Sequence, residues 1–144
     1  MQAQILAPAA VLVCWSLVML FWMARTRFGA FARQGIDLGK VPPGGRGGDL
    51  KGVLPDEVMW KSDNYAHLME QPTIYYPTVV ILAIMGATWF DVGLAWAYVA
   101  LRIVHSVYQA TVNRIPTRVR LFAASSWVLA MLAIRAAIAT LGAT

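Results

Sequence analysis

Apolar residues along the chain fall into long runs that are separated by three polar connections. The runs cover residues 5–23, 73–90, 92–112 and 121–141. A helix needs about 20 residues to cross a hydrocarbon core about 30 Å thick, so each run is long enough to span a membrane. We therefore predict an all-α fold, an integral membrane four-helix bundle that forms a single domain over residues 1–144.

The polar residues that flank these runs set the expected helix bounds. Pro55, Asp56 and Glu57 predict a helix start, because proline favours the first helical position and acids favour the first turn. The second helix therefore begins well before its apolar run, and Pro72 and Pro77 are able to kink it. We expect helices at about residues 4–24, 57–90, 92–113 and 118–141, with a cytoplasmic loop at 25–56.

Composition and charge support a membrane protein. Hydrophobic residues make up 59% of the chain and charged residues only 13%, which is too apolar for a soluble domain of this length. The net charge of +5 does not indicate a nucleic-acid partner, because the basic residues outside the runs lie on the first and third connections only. This asymmetry follows the positive-inside rule. We predict that both basic connections are cytoplasmic and that both termini lie outside.

The first connection divides into two parts. Residues 25–35 are basic and include Phe28 and Phe31, a composition suited to an anionic membrane surface. Residues 41–48 are rich in glycine and proline. No Gly-Lys-Ser/Thr ending follows them, so we interpret them as a flexible linker rather than a phosphate-binding loop.

Polar side chains collect directly before the second apolar run. Asp63, His67 and Glu70 share one helical face, and Asn64 lies beside them. In the third run Arg102 belongs to a second polar face. A charge inside a membrane usually faces the bundle interior and has a partner. Helical rise places Glu70 and Arg102 at similar depths, so we predict that they form a buried ion pair.

The polar face of the third run follows helical spacing. Tyr98, Arg102, His105 and Gln109 are separated by four, three and four residues. Arg135 in the fourth run lies near the outer surface, where snorkelling explains it, and we assign it a structural role. Two histidines on different helices and one cysteine make no metal site.

The motifs of the second half of the chain resemble those of the MAPEG family, the small membrane proteins of eicosanoid and glutathione metabolism. In the second helix the similarity rests on Glu70 followed by Pro72, with Asn64 and His67 upstream. In the third helix and the following turn it rests on two short motifs, Arg-x-x-His-Ser at residues 102–106 and Arg-x-Pro-x-Arg at residues 114–118. The resemblance covers most of the chain from Asp63 onwards.

This resemblance implies a homotrimer that binds glutathione as a co-substrate between subunits near the cytoplasmic face, together with a lipophilic small molecule and membrane lipids. Arg118 is then the catalytic residue, because a thiol with a pKa of about 8.5 needs a cation to stabilise its thiolate at neutral pH, and arginine is always charged. The remaining glutathione-binding candidates are Asn64, His67, Glu70, Arg102, His105, Tyr108, Gln109 and Arg114.

Three functions remain open. The first is a glutathione-dependent transferase or peroxidase acting on lipophilic electrophiles, in a bacterial inner membrane as the Ala- and Arg-rich composition suggests. The second is a non-catalytic member that binds a lipid or a partner protein, favoured because Gln109 and Phe122 stand where the family has tyrosines. The third is a proton-coupled drug transporter, which is disfavoured because the first run contains no acidic or basic residue.

Overall fold

Helices make up nearly all of the protein. The computed structural model describes residues 1–142, and no β-strand occurs among them. The helices are α1 (Gln2–Gln34), α2 (Asp56–Leu68), α3 (Pro72–Met85), α4 (Trp89–Thr111) and α5 (Ile115–Leu141). Two short 3₁₀ turns, Leu38–Lys40 and Gly47–Leu50, lie in the first connection. The prediction of an all-α fold is confirmed.

Helix α4 is the centre of the bundle. It packs against α1, α2 and α5, while α3 packs against α1 and α5. Its buried positions recur every three or four residues, so one continuous face points inward. At mid-height the Tyr75 ring of α3 stacks on the Tyr98 ring of α4, with 4.4 Å between ring centroids. Both tyrosines are fully buried.

Membrane-spanning length is reached by α1, α4 and α5, which are also apolar enough to cross a bilayer. Helix α3 has 14 residues, a length of only about 21 Å. It continues from α2 after a three-residue break at 69–71, and α2 and α3 together take the place of the second predicted helix. The protein is therefore a four-helix bundle whose second member is interrupted.

The predicted continuous helix at 57–90 is wrong in two places. Helix α2 ends at Leu68, and Pro72 opens α3 at a position where its missing N–H is not needed. Helix α3 then ends at Met85, because Gly86 adopts φ 94°, a left-handed conformation that favours glycine.

Trp89 and Phe90 belong to α4 rather than to the end of the second helix. Thr88 and Asp91 form a capping box that starts α4 at this point. The Thr88 backbone N–H donates to Asp91 Oδ2 over 2.8 Å. Two backbone donors at the helix start are thereby satisfied.

Helix α1 continues ten residues beyond its predicted end and stops at Gln34, where Gly35 has φ 66°. The first part of the predicted loop 25–56 is therefore helical. The rest of the connection is held by a small apolar cluster that joins α1 to α2, whose buried members are Ala30, Phe31, Leu54, Val58 and Met59. Helix α5 begins at Ile115, three residues before its predicted start.

Candidate functional site

A polar cavity lies where α2 ends. Its volume is about 280 Å³, and it is lined by Asp63, Ala66, His67, Glu70, Gln109 and Arg118. Helix α2 and the break supply the first four residues, α4 supplies Gln109, and α5 supplies Arg118. Three segments that are far apart in sequence thus contribute polar groups to one space.

A second cavity of about 170 Å³ lies beside the first. It is less polar and is lined by His67, His105, Arg118, Val119 and Phe122. The His67 ring lies 5.2 Å from the His105 ring and 5.2 Å from the Phe122 ring, measured between centroids. His67 and Arg118 line both cavities, so a polar compartment and a more apolar compartment meet at these two side chains.

The predicted ion pair between Glu70 and Arg102 is absent. Glu70 lies in the break between α2 and α3, its side chain is 67% exposed, and its Oε2 lies 2.7 Å from His67 Nδ1. The prediction assumed a continuous helix that would carry Glu70 down into the bundle. Because the helix stops at Leu68, the carboxylate is directed to the neighbouring histidine instead.

Arg102 is fully buried and is held by backbone rather than by an acid. Its Nη2 donates to the carbonyl oxygen of His67 over 3.1 Å. That carbonyl lies in the last turn of α2, where the helix dipole favours a nearby cation. The carbonyl end of α2 therefore stabilises the Arg102 charge in part, a role that the sequence analysis had given to Glu70.

Several buried polar atoms around Arg102 have no hydrogen-bond partner within residues 1–142. They are Asn64 Oδ1, Arg102 Nε and Nη1, both ring nitrogens of His105, and Gln109 Oε1. Buried polar atoms in proteins are hydrogen-bonded in the great majority of cases. A cluster of unused donors and acceptors beside a cavity suits a small polar ligand that carries both carboxylate and amide or ammonium groups.

Asn64 is fixed in this cluster by the adjacent helices. Its Nδ2 donates to Ser106 Oγ over 2.8 Å, and the same hydroxyl oxygen accepts from Trp15 Nε1 over 3.0 Å. Side chains from α1, α2 and α4 therefore meet at Ser106. These two bonds set the Asn64 amide and leave its Oδ1 unused.

Arg118 lies in the first turn of α5 and is half-buried. Its Nη1 donates to Asn113 Oδ1 over 2.8 Å. Asn113 adopts φ 54° in the turn between α4 and α5, a conformation that asparagine tolerates better than most residues. The turn thus fixes one edge of the guanidinium group, which keeps further N–H donors for the two cavities.

The structure brings together seven of the nine predicted site residues: Asn64, His67, Glu70, Arg102, His105, Gln109 and Arg118. The other two lie apart. Tyr108 is half-buried and Arg114 is exposed, and neither lines either cavity.

Gln71 is a part of the site that the sequence analysis missed. Its Nε2 donates to Ser126 Oγ over 2.7 Å, and its Oε1 accepts from Tyr98 OH over 3.2 Å. Ser125 Oγ lies 3.4 Å from the same oxygen. Gln71 thereby ties the break to α4 and α5. No local sequence pattern marks it, because tertiary packing alone brings its partners Tyr98 and Ser126 to it.

A separate ion pair closes the opposite end of the bundle. Arg135 pairs with Asp91 through Nε, and its Nη2 lies 3.2 Å from Asp91 Oδ2 and 3.3 Å from Thr88 Oγ1. Asp91 is 1% exposed. The pair joins α5 to the start of α4, far along α4 from Gln109.

Within the part of the chain that the structure describes, no cluster of His, Cys, Asp and Glu side chains has the arrangement of a metal site.

A nearly all-helical bundle, with three helices long and apolar enough to cross a membrane and a cluster of buried arginine, histidine and amide groups, is the architecture of a small integral membrane protein. The chain belongs to the MAPEG family, since residues 5–138 match the sequence model of that family. The protein is thus a membrane protein of a family linked to glutathione and eicosanoid metabolism. Searches of curated proteins and of solved structures found no match.

Proposed function

We propose that the protein is a membrane-embedded glutathione-dependent transferase or peroxidase that acts on lipophilic electrophiles. The observation that carries this proposal is the position of Arg118, which lines a polar cavity and a more apolar one. Buried polar atoms without a hydrogen-bond partner among residues 1–142 lie in and beside the walls of these two cavities. Family membership adds the expectation of a glutathione-related function.

In this proposal the residues that line the polar cavity hold the tripeptide. His67 and Gln109 form hydrogen bonds with its carboxylate and amide groups. Arg102 and Asn64 lie behind this lining, where the Arg102 charge favours a carboxylate in the cavity and its bond to the His67 carbonyl keeps the wall in place. Both ring nitrogens of His105 lack a partner among residues 1–142, and in a neutral imidazole one of them is a donor and the other an acceptor. His67 and the exposed Glu70 form the polar wall on the open side.

Arg118 activates the thiol. The glutathione S–H bond breaks, its proton passes to water, and the guanidinium stabilises the remaining thiolate. The sulfur then attacks the electrophile. In a transfer a sulfur–carbon bond forms as the leaving group departs. In a peroxidase reaction the sulfur takes the terminal OH of a hydroperoxide as the O–O bond breaks, and the alkoxide leaves and is protonated to an alcohol. The glutathione sulfenic acid formed then condenses with a second glutathione thiol, which gives the disulfide and releases water.

The electrophile reaches the sulfur from the lipid. Val119 lines the second cavity and is 54% exposed, and Phe122 beside it is 37% exposed. An apolar, accessible edge of this kind admits a substrate dissolved in the bilayer, while the polar cavity faces the break where Glu70 is exposed.

The proposed assembly is a homotrimer with glutathione between neighbouring subunits. The exposed Arg114 and half-buried Tyr108 lie outside the cavities of their own chain, and in a trimer they contribute to the site of the adjacent subunit. We further propose a bacterial inner membrane location with both termini outside and the long basic connection in the cytoplasm, on the positive-inside rule.

A second candidate is a non-catalytic protein that binds a lipid or a partner. The observation that favours it is the Phe122 ring, which packs against His67 where the family has a tyrosine hydroxyl. A phenyl ring at this position supplies no hydrogen bond to a glutathione sulfur.

Titration calorimetry of glutathione into the detergent-solubilised protein, together with a dinitrochlorobenzene conjugation assay, separates the two candidates. The enzyme binds glutathione and forms the conjugate faster than buffer does. A protein that binds no glutathione and forms no conjugate contradicts the first proposal and supports the second. An Arg120→Ala variant serves as the control for substitution of an arginine on α5 and should behave like the parent, because Arg120 is exposed and lines neither cavity.

A further inference from the structure

A large cavity of the described chain shares no lining residue with the proposed thiol site. It has a volume of about 570 Å³ and lies between the end of α1 and the first connection. Apolar side chains dominate its wall: Phe28, Phe31, Ile36, Leu38, Val41, Pro42 and Leu50. The size lies within the range of about 300–1,000 Å³ that is usual for small-molecule sites.

The polar part of this wall is cationic. Arg27 and Arg46 both line the cavity, and Asp49 is its only acidic lining residue. Asp49 Oδ2 already accepts from the Arg46 backbone N–H over 2.7 Å. The Arg46 guanidinium forms no ion pair within residues 1–142, so its charge is available to a ligand.

Arg27 is held in place at the cavity edge. Its Nη2 donates to Ser62 of α2, and its Nε is buried without a partner in the described residues. The guanidinium lies against the backbone of Gly47, where an added Cβ would be 3.3 Å from Nη2. Glycine at this position therefore leaves room for the arginine to reach the cavity.

The depth of the cavity matches the headgroup layer of a membrane. The apolar run of α1 ends at about Ala24, and Arg27 follows about 4.5 Å further along the helix axis. The headgroup region of a bilayer is about 5 to 7 Å thick on each side. Phe28, Leu38 and Val41 each line the cavity and are 59%, 51% and 47% exposed, so apolar surface continues outward from the arginines.

We propose that this cavity binds one anionic phospholipid of the adjacent leaflet. The phosphate contacts Arg27 and Arg46, and the glycerol and the first acyl carbons lie on the apolar wall. A zwitterionic lipid would bring an ammonium charge to a wall that already carries two arginines and only one carboxylate, and a free phosphate would leave the apolar wall exposed to water. The proposal is independent of glutathione, since no residue of this cavity belongs to the thiol site.

Native mass spectrometry of the full-length protein in detergent tests the proposal, with phosphatidylglycerol and phosphatidylcholine as probes. We expect the parent protein to retain one phosphatidylglycerol per chain in preference to phosphatidylcholine. Arg46→Gln should weaken phosphatidylglycerol binding about fivefold, since one basic residue at an anionic surface is worth about that factor. Arg120→Gln removes the same charge from the exposed start of α5 and should leave this binding unchanged.

A pair of glycine variants tests the cavity itself. A Cβ at Gly45 makes only ordinary contacts, the nearest being Val41 Cγ1 at 3.6 Å, so Gly45→Leu fills the cavity and should abolish lipid retention. Gly48→Leu is the control, because Gly48 has open space around it and lines a different cavity. Equal binding of the two lipids, equal losses in Arg46→Gln and Arg120→Gln, or displacement of the lipid by millimolar inorganic phosphate would each overturn the proposal.

Discussion

Replacing Arg118 with alanine tests the proposed chemistry most directly. The residue lines both cavities, and its Nη1 is held by Asn113 Oδ1 at 2.8 Å, so the guanidinium is positioned before any substrate binds. Loss of one preorganised donor typically lowers turnover about 10² to 10³-fold, equivalent to about 2.7 to 4 kcal/mol. We expect this loss in turnover for Arg118→Ala, with a much smaller change in glutathione affinity.

Two further variants grade the effect. Arg118→Lys keeps the charge and loses the planar fork, so its turnover should lie between those of the parent and of Arg118→Ala. Asn113→Gly removes the oxygen that holds the guanidinium and still tolerates φ 54°. Loss of this charge-assisted hydrogen bond should lower turnover about tenfold.

The assay is steady-state conjugation of dinitrochlorobenzene, combined with the ultraviolet absorbance of bound thiolate. Arg120→Ala, two residues further along α5 and exposed, serves as the control and should match the parent. Thiolate absorbance that persists in Arg118→Ala would refute the reasoning, and so would a loss of activity in Arg114→Ala with full activity in Arg118→Ala.

Three other results are expected. Arg102→Met places an apolar chain of similar length at a fully buried position where the arginine has no acidic partner. Thermal unfolding should show retained or raised stability, and calorimetry should show weakened glutathione binding because the buried charge behind the cavity is lost. A clear drop in stability would contradict this. Asp91→Ala should lower the unfolding midpoint more than Arg135→Ala. Asp91, the N3 residue of the capping box, accepts from the Thr88 backbone N–H, a charge-assisted bond worth about 1.5 kcal/mol, as well as pairing with Arg135. The reverse order would count against the capping role. Reporter fusions at each end should place both termini on the same side of the membrane, and so should labelling of cysteines introduced at each end in a Cys14→Ser background. Termini on opposite sides would mean that α2 and α3 together do not cross the membrane.

The parts of the fold that could be predicted are those that depend on local pattern. Spacings of four, three and four residues placed Tyr98, Arg102, His105 and Gln109 on one face, and all four are buried on α4. This works because helical period alone decides which residues share a face. Contact between α2 and α4 was likewise expected, because polar residues within a membrane bundle usually face the interior and find partners on a neighbouring helix.

The parts that could not be predicted depend on where helices stop. Counting helical rise from Asp63 to Glu70 assumed regular helix between them, and the end of α2 at Leu68 made that count invalid. Gln71 could not be assigned a role for the same reason, since its partners Tyr98 and Ser126 are fixed only by tertiary packing. Arg135 was placed near the outer surface, but its pairing with Asp91 across 44 residues follows from the packing of α4 on α5.

The bond from Arg102 to the His67 carbonyl has a consequence for how the end of α2 is held. That carbonyl accepts two hydrogen bonds, one from the Glu70 backbone N–H over 3.4 Å and one from Arg102 Nη2. Without the second bond, Arg102 would be a positive charge inside the bilayer with no hydrogen-bond acceptor among residues 1–142, which is costly. Arg102 therefore ties the end of α2 to α4 independently of Pro72, and a variant that lacks this proline should keep the bond.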